Sequence, residues 1–118
     1  MQIAVRELGH YIGGAEVPGG SGRFGDVYDP TTGVVQRRVA FASASEVDAA
    51  VAAARTAFAG WSQTPVLRRA AVLFAFRERV RAESDRLARL ITSEHGKTLD
   101  DARGEVNRGL EVVDFACG

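Results

Sequence analysis

The chain has 118 residues, of which 46% are apolar and 25% charged, the balance of an ordinary soluble globular protein rather than a fibrous or disordered one. Its 15 Lys and Arg offset 15 Asp and Glu, so no net field draws it to nucleic acid or to an anionic membrane. One cysteine and two histidines exclude an internal disulfide framework and a structural zinc site, and a reducing, cytoplasmic setting fits that usage.

The first seven residues, from Met1 to Glu7, lack the uninterrupted apolar stretch of a secretory signal, and no segment approaches the roughly 20 apolar residues needed to span a bilayer. Residues 10–12, the pair Gly13-Gly14 and residues 15–17 predict a strand that turns back on itself. An open loop over residues 18–22 leads to a strand over 23–28. The run Asp29-Pro30-Thr31-Thr32-Gly33 is a turn, because Pro presets φ and Gly accepts a positive one, and residues 34–41 form the next strand.

Near Ser43 the composition changes from Gly, Val and aromatic residues to Ala, Leu, Arg and Glu at helical spacing. Ser45 with Asp48 three residues on predicts the capping box of a first helix, whose Val47, Ala50, Val51, Ala54, Phe58 and Trp61 form one apolar stripe ending near Gly60. Thr64 as N-cap and Pro65 as first helical residue open a second helix through about Arg81. Its Val66, Ala70, Leu73 and Val80 make a stripe that Leu67, Ala71, Phe74 and Phe76 widen, so it should be enclosed by more than one neighbour. Ser84-Asp85 starts a third helix that places Leu87, Leu90 and Ile91 inward and stops at Gly96. A fourth runs from about Leu99 with Leu99, Ala102, Val106, Val113 and Cys117 inward. The segment is therefore α+β, a β-hairpin with short strands over residues 1–42 followed by about four helices over 43–118.

The fourth helix carries two interior glycines, Gly104 and Gly109, on either side of Arg108. Each costs roughly 1 kcal/mol relative to Ala, which implies that something approaches the backbone closely there. Asp101, Glu105, Arg108, Val112 and Phe115 share a face, so the guanidinium stands beside an apolar patch. A planar guanidinium binds a carboxylate through two parallel hydrogen bonds, which makes Arg108 a candidate anion site. The competing interpretation is a surface pair with Glu105 or Glu111, three residues away on either side.

Other candidates carry less. Cys117 continues the inward stripe with no histidine nearby in sequence and reads as a packed thiol. His95 sits where it can meet the free carbonyls at a helix end. The glycines between Gly13 and Gly25 lack both the Gly-Lys-Ser/Thr ending of a phosphate loop and the strand-turn-helix context of a dinucleotide site. Arg68, Arg69, Arg77, Arg79 and Arg81 form a solvated or salt-bridged face, or an interface with another subunit. No complete catalytic constellation is present.

The run from Asp29 to Gly33, the stretch from Glu46 through Ala57-Phe58 to Trp61, the sequence Arg68-Arg69-Ala70 to Leu73-Phe74, and Glu94-His95-Gly96-Lys97 together resemble the N-terminal portion of the aldehyde dehydrogenase superfamily, over essentially the whole chain. The more specific block, Gly104-Glu105-Val106-Asn107-Arg108-Gly109 with residues 111–116, resembles the CoA-acylating methylmalonate-semialdehyde dehydrogenases. The resemblance implies an α/β family fold of which this is a truncated part. Residues 43–118 would then belong to an incomplete NAD-binding domain, with the catalytic domain absent.

It also implies a reaction in which a cysteine thiolate attacks the aldehyde, hydride passes to NAD, and the acyl group leaves on coenzyme A with loss of carbon dioxide. Arg108 then matches the arginine that helps bind the substrate carboxylate, and Glu94 with the backbone carbonyls of Val27 and Tyr28 matches a monovalent-cation site. No catalytic residue is assigned here, since Cys117 does not match the nucleophile. The expectation is a segment inactive alone, binding neither NAD nor coenzyme A by itself, with the remainder of a homo-oligomeric dehydrogenase as its partner. Two alternatives stand beside it: another enzyme of the superfamily, such as a succinate-semialdehyde dehydrogenase, and a non-enzymatic truncated paralogue acting as an interaction module.

Overall fold

A computed structural model describes residues 5–118, so the first four residues of the stretch read for a secretory signal lie outside the described residues. The chain forms two compact units that divide after Ser62. This differs from the change of element type near Ser43, because the first helix belongs with the strands.

The first unit contains β1 (Arg6–Leu8), β2 (His10–Ile12), β3 (Ala15–Val17), β4 (Phe24–Tyr28), β5 (Val35–Ala40) and α1 (Ala44–Trp61). β2 and β3 pair antiparallel as the expected hairpin, with His10 opposite Val17 and Ile12 opposite Ala15. Gly13 at φ +62° and Gly14 at φ +84° supply the two positive values that a tight two-residue hairpin turn requires. The other sheet runs β1-β5-β4, with β4 antiparallel to the central β5 and β1 parallel to it. β1 has no counterpart among the sequence expectations, since three residues carry too little alternation to announce a strand. Between β4 and β5 the Asp29 carboxylate accepts from the Thr31 amide at 2.8 Å and the Asp29 carbonyl from the Gly33 amide at 2.8 Å, closing the predicted turn. The register then slips: Val27 faces Arg37 but Tyr28 faces Val35, and the Gln36 left over turns its side-chain amide onto the Tyr28 carbonyl at 3.3 Å.

The capping box of α1 is Ser43 with Glu46, not Ser45 with Asp48. Ser43 has the extended backbone of an N-cap, at φ −77° and ψ 164°, and the Glu46 side chain is long enough to reach back to the Ser43 amide at 2.7 Å. Ser45 instead lies within 3.0 Å of the Ser43 hydroxyl. The stripe expected to face inward is mostly uncovered, with Val47 and Val51 each 52% exposed and Phe58 65%.

The second unit is three helices, α2 (Val66–Ala82), α3 (Ser84–His95) and α4 (Leu99–Cys117). Pro65 is the N-cap of α2 rather than its first helical residue: its ψ of 142° is extended, and its carbonyl accepts from the Arg68 and Arg69 amides. A single residue, Glu83, separates α2 from α3. Ala88 of α3 and Ala102 and Val106 of α4 form the buried centre, with Val80, Leu87, Ile91 and Leu99 packed around it. The small alanines bring α3 and α4 close together. α2 is less enclosed than its double stripe predicts, since Val66, Leu67, Phe74 and Phe76 are each at least half exposed. The Arg77 guanidinium ties α2 to α4 by pairing with Asp114, and that bond holds its pKa above the ordinary arginine value. No described helix is long and apolar enough to cross a membrane.

Candidate functional site

Arg108 lies on an exposed face of α4, over a groove of about 670 Å³ lined by His95, Lys97, Asp100, Asp101, Gly104 and Glu105. The groove exists because the connection from α3 to α4 is short and pinned at both ends. Gly96, at φ +82°, ends α3 in the left-handed conformation and donates its amide to the Thr92 carbonyl at 2.8 Å. Thr98 caps α4, its hydroxyl oxygen accepting from the Asp101 amide at 3.2 Å and its hydroxyl donating to the Asp101 carboxylate at 2.7 Å. Lys97 is therefore held between two helix ends and aimed along α4, where its ammonium pairs with the Glu105 carboxylate.

That pairing bears on the local ion pair expected for Arg108 with Glu105. A local ion pair needs a carboxylate three or four residues away, and Glu105 is committed to Lys97. Asp100 is likewise bound by Arg103 at 3.0 Å, and Asp101 turns to Thr98. Among the described residues no carboxylate stands within ion-pair distance of Arg108. On the same face Val112 is 66% exposed and Phe115 89%, so the guanidinium borders an apolar surface as the helical spacing predicts. Such a guanidinium can take an external carboxylate through its fork, while the adjoining apolar patch favours a short aliphatic body.

The other sequence candidates are distributed differently. Glu94 lies in the last turn of α3 at the rim of an apolar cleft of about 360 Å³ shared with Phe76, Val80, Leu87, Val106 and Val113. Val27 and Tyr28 stand on β4 in the other unit, with the Tyr28 carbonyl accepting from Gln36. His95 is an exposed residue of the last turn of α3 and lines the Arg108 groove. Cys117 is a partly buried free thiol at the end of α4. No group of three or more potential metal-ligating side chains occurs among the described residues. Gly104 and Gly109 have open space where a Cβ would stand, so nothing among the described residues accounts for their cost.

A dinucleotide needs a glycine-rich turn leading from a strand into a helix whose free amides meet the phosphates. The described residues do not fit that requirement. Gly13 and Gly14 lie in an antiparallel hairpin, and the α1 start that follows the glycine-rich region is already capped by Ser43 and Glu46. Sequence reasoning missed the Lys97–Glu105 pair and the Glu46 bond to Gly20 because both join residues across a loop rather than along one helix. Lys97 stood in the sequence only as part of the Glu94-His95-Gly96-Lys97 block, directly after the helix-stopping Gly96, with nothing there to name Glu105 as its partner.

The aldehyde dehydrogenase family profile matches residues 17–118. The chain is 46% identical over 114 residues to the malonate-semialdehyde dehydrogenase of Listeria monocytogenes serotype 4b, covering 97% of this chain and 23% of that protein. It is 47% identical over 113 residues to a malonate-semialdehyde dehydrogenase of Geobacillus kaustophilus, covering 96% of this chain and 23% of the relative. Among solved structures, methylmalonate-semialdehyde dehydrogenase from Oceanimonas doudoroffii superposes with a TM-score of 0.92 at 41% identity, over 97% of this chain and 23% of that one. A Sinorhizobium meliloti protein described as a dehydrogenase of the same kind, solved with NAD, gives a TM-score of 0.95 at 44% identity, over 99% of this chain and 24% of the other. The chain thus spans about a quarter of the length of these relatives. With the family profile running from the last residue of β3 through the Arg108 helix to the last residue, the chain belongs to the aldehyde dehydrogenase family.

Proposed function

We propose that this chain forms the N-terminal part of an NAD-dependent, CoA-acylating malonate- or methylmalonate-semialdehyde dehydrogenase, in which Arg108 anchors the substrate carboxylate. The observation that carries this reading is the state of Arg108: exposed on a groove, beside Val112 and Phe115, with its nearest upstream carboxylate taken by Lys97. The names of the relatives support it, because malonate and methylmalonate semialdehydes each carry one carboxylate at the end remote from the aldehyde.

In this reading Arg108 fixes the carboxylate end of the substrate, and the aldehyde projects toward catalytic groups contributed by the rest of the dehydrogenase. Orientation of this kind lowers the barrier by holding the reacting carbon in place. NAD and coenzyme A supply hydride acceptance and acyl acceptance, and they are held by residues other than those described. The apolar faces of α1 and α2, including Val51, Phe58, Leu67 and Phe74, are covered by the remainder of the enzyme.

The test is Arg108→Ala in the complete dehydrogenase. Losing a charge-assisted fork costs about 1.5–3 kcal/mol, so KM for malonate semialdehyde rises roughly ten- to hundredfold while KM for propanal changes little. An equal rise for both aldehydes would refute the assignment.

A further inference from the structure

We propose that Lys97 is a positioning residue for the substrate carboxylate: by engaging Glu105 it keeps Arg108 open to an incoming anion. This inference rests on the reading of Arg108 as the anchor. It adds the device that keeps the anchor available.

Glu105 is the carboxylate best placed to neutralise Arg108. It lies three residues upstream on α4, one of the two spacings at which helical side chains meet, and an acid on the N-terminal side of a base is the favourable order along a helix. Glu111, three residues downstream, has the unfavourable order. The competing acids of the first turn are already engaged, Asp100 with Arg103 and Asp101 with Thr98.

Lys97 suits the holding role for two reasons. Its side chain is only 17% exposed although its partner is 53% exposed, so the stem is packed and the ammonium is delivered to one place. Its backbone lies between the Gly96 stop and the Thr98 cap, each fixed by a hydrogen bond, so little ordering remains to be done when the pair forms. Among the described residues Arg108 has no comparable restraint, and its fork stays open to a ligand.

Lys97→Met in the complete enzyme releases Glu105 to compete with substrate for Arg108. KM for malonate semialdehyde rises about twofold, the worth of one helical ion pair, while kcat and the KM for propanal stay as in the wild type. Lys97→Arg preserves the pair and the KM. Adding Glu105→Gln to Lys97→Met removes the competitor and restores KM, whereas Glu105→Gln alone shifts KM by less than Lys97→Met does. If Lys97→Met fails to accumulate, Lys97→Gln is measured in the same way. A rise for both aldehydes, or a rise that Glu105→Gln does not rescue, overturns the proposal. Arg108→Ala separates the two levels: if it fails to discriminate the aldehydes, the anchor reading falls. If it discriminates them and Lys97→Met does not, the positioning role alone falls.

Discussion

The Glu46 carboxylate fastens the start of α1 to the loop ahead of β4, its Oε1 accepting the Gly20 amide at 2.7 Å across 26 residues of chain. Its Oε2 accepts the Ser43 amide at 2.7 Å and the Ser43 hydroxyl at 2.8 Å. These bonds favour the charged form, the Ser43 amide most and the Gly20 amide next, and lower the pKa from 4.5 to about 2.

The folded value is below the unfolded one, so the stabilisation is complete above about pH 4.5 and is lost as pH falls through about 2. The difference in urea midpoint between wild type and Glu46→Gln is therefore largest near neutrality and shrinks through that window. A difference that stays constant from about pH 5 to about pH 2 would show that the charge on Glu46 is not what holds the loop.

Gly96→Ala tests the stop between α3 and α4. At φ +82° an L-residue is strained by about 1–2 kcal/mol, and the Gly96 amide must still reach the Thr92 carbonyl. Urea denaturation should show a loss of about 1 kcal/mol for Gly96→Ala and less for Gly96→Asn, which tolerates this conformation better. An unchanged midpoint for both variants would mean that the stop does not depend on backbone handedness.

The elements that announced themselves were those with local chemistry at their ends. Gly13-Gly14 between two short runs specified the hairpin, Gly96 ended α3 where it was expected, and α4 begins at Leu99 as expected, with Thr98 as its cap. The face of α4 holding Arg108, Val112 and Phe115 also followed from spacing alone. What escaped depended on partners distant in sequence. β1 is defined by its parallel pairing with β5, and Lys97 by a carboxylate eight residues away across a helix start. The cap of α1 is easily misplaced because two serines two residues apart each have an acid three residues on, and only Glu46 has the length to serve both Ser43 and Gly20. Periodicity showed which face of α1 is apolar but not what covers it, and Val47, Val51 and Phe58 are more than half exposed.

The glycines of α4 give a prediction whose sign depends on surroundings. Gly104 and Gly109 have open space at the Cβ position, so alanine at either should strengthen the helix of the 118-residue chain by about 0.5–1 kcal/mol, read as increased helical circular dichroism. Gly104 lines the Arg108 groove and Gly109 the apolar cleft, so if the remainder of the dehydrogenase or the substrate approaches the backbone at either, the same substitution should lower the thermal midpoint of the complete enzyme. A gain in both proteins would mean that nothing approaches the α4 backbone.

Arg108→Lys separates charge from geometry at the proposed anchor. Lysine keeps the positive charge but presents a compact ammonium on a flexible stem, losing the planar fork that grips both carboxylate oxygens. If Arg108 only supplied a positive field over the groove, the Arg108→Lys variant would serve nearly as well, and its KM for malonate semialdehyde would stay within about twofold of wild type. If the fork is used, part of the binding is lost, and KM for Arg108→Lys lies between those of wild type and Arg108→Ala, roughly tenfold above wild type. The exposed Val112 and Phe115 beside Arg108 do not change in this variant, so their contribution to the aliphatic part of the substrate stays constant and propanal serves as the internal reference. Steady-state kinetics on both aldehydes over a range of ionic strength decide the matter, since a field effect weakens with salt for wild type and variant alike while the fork shows as a gap between them that persists.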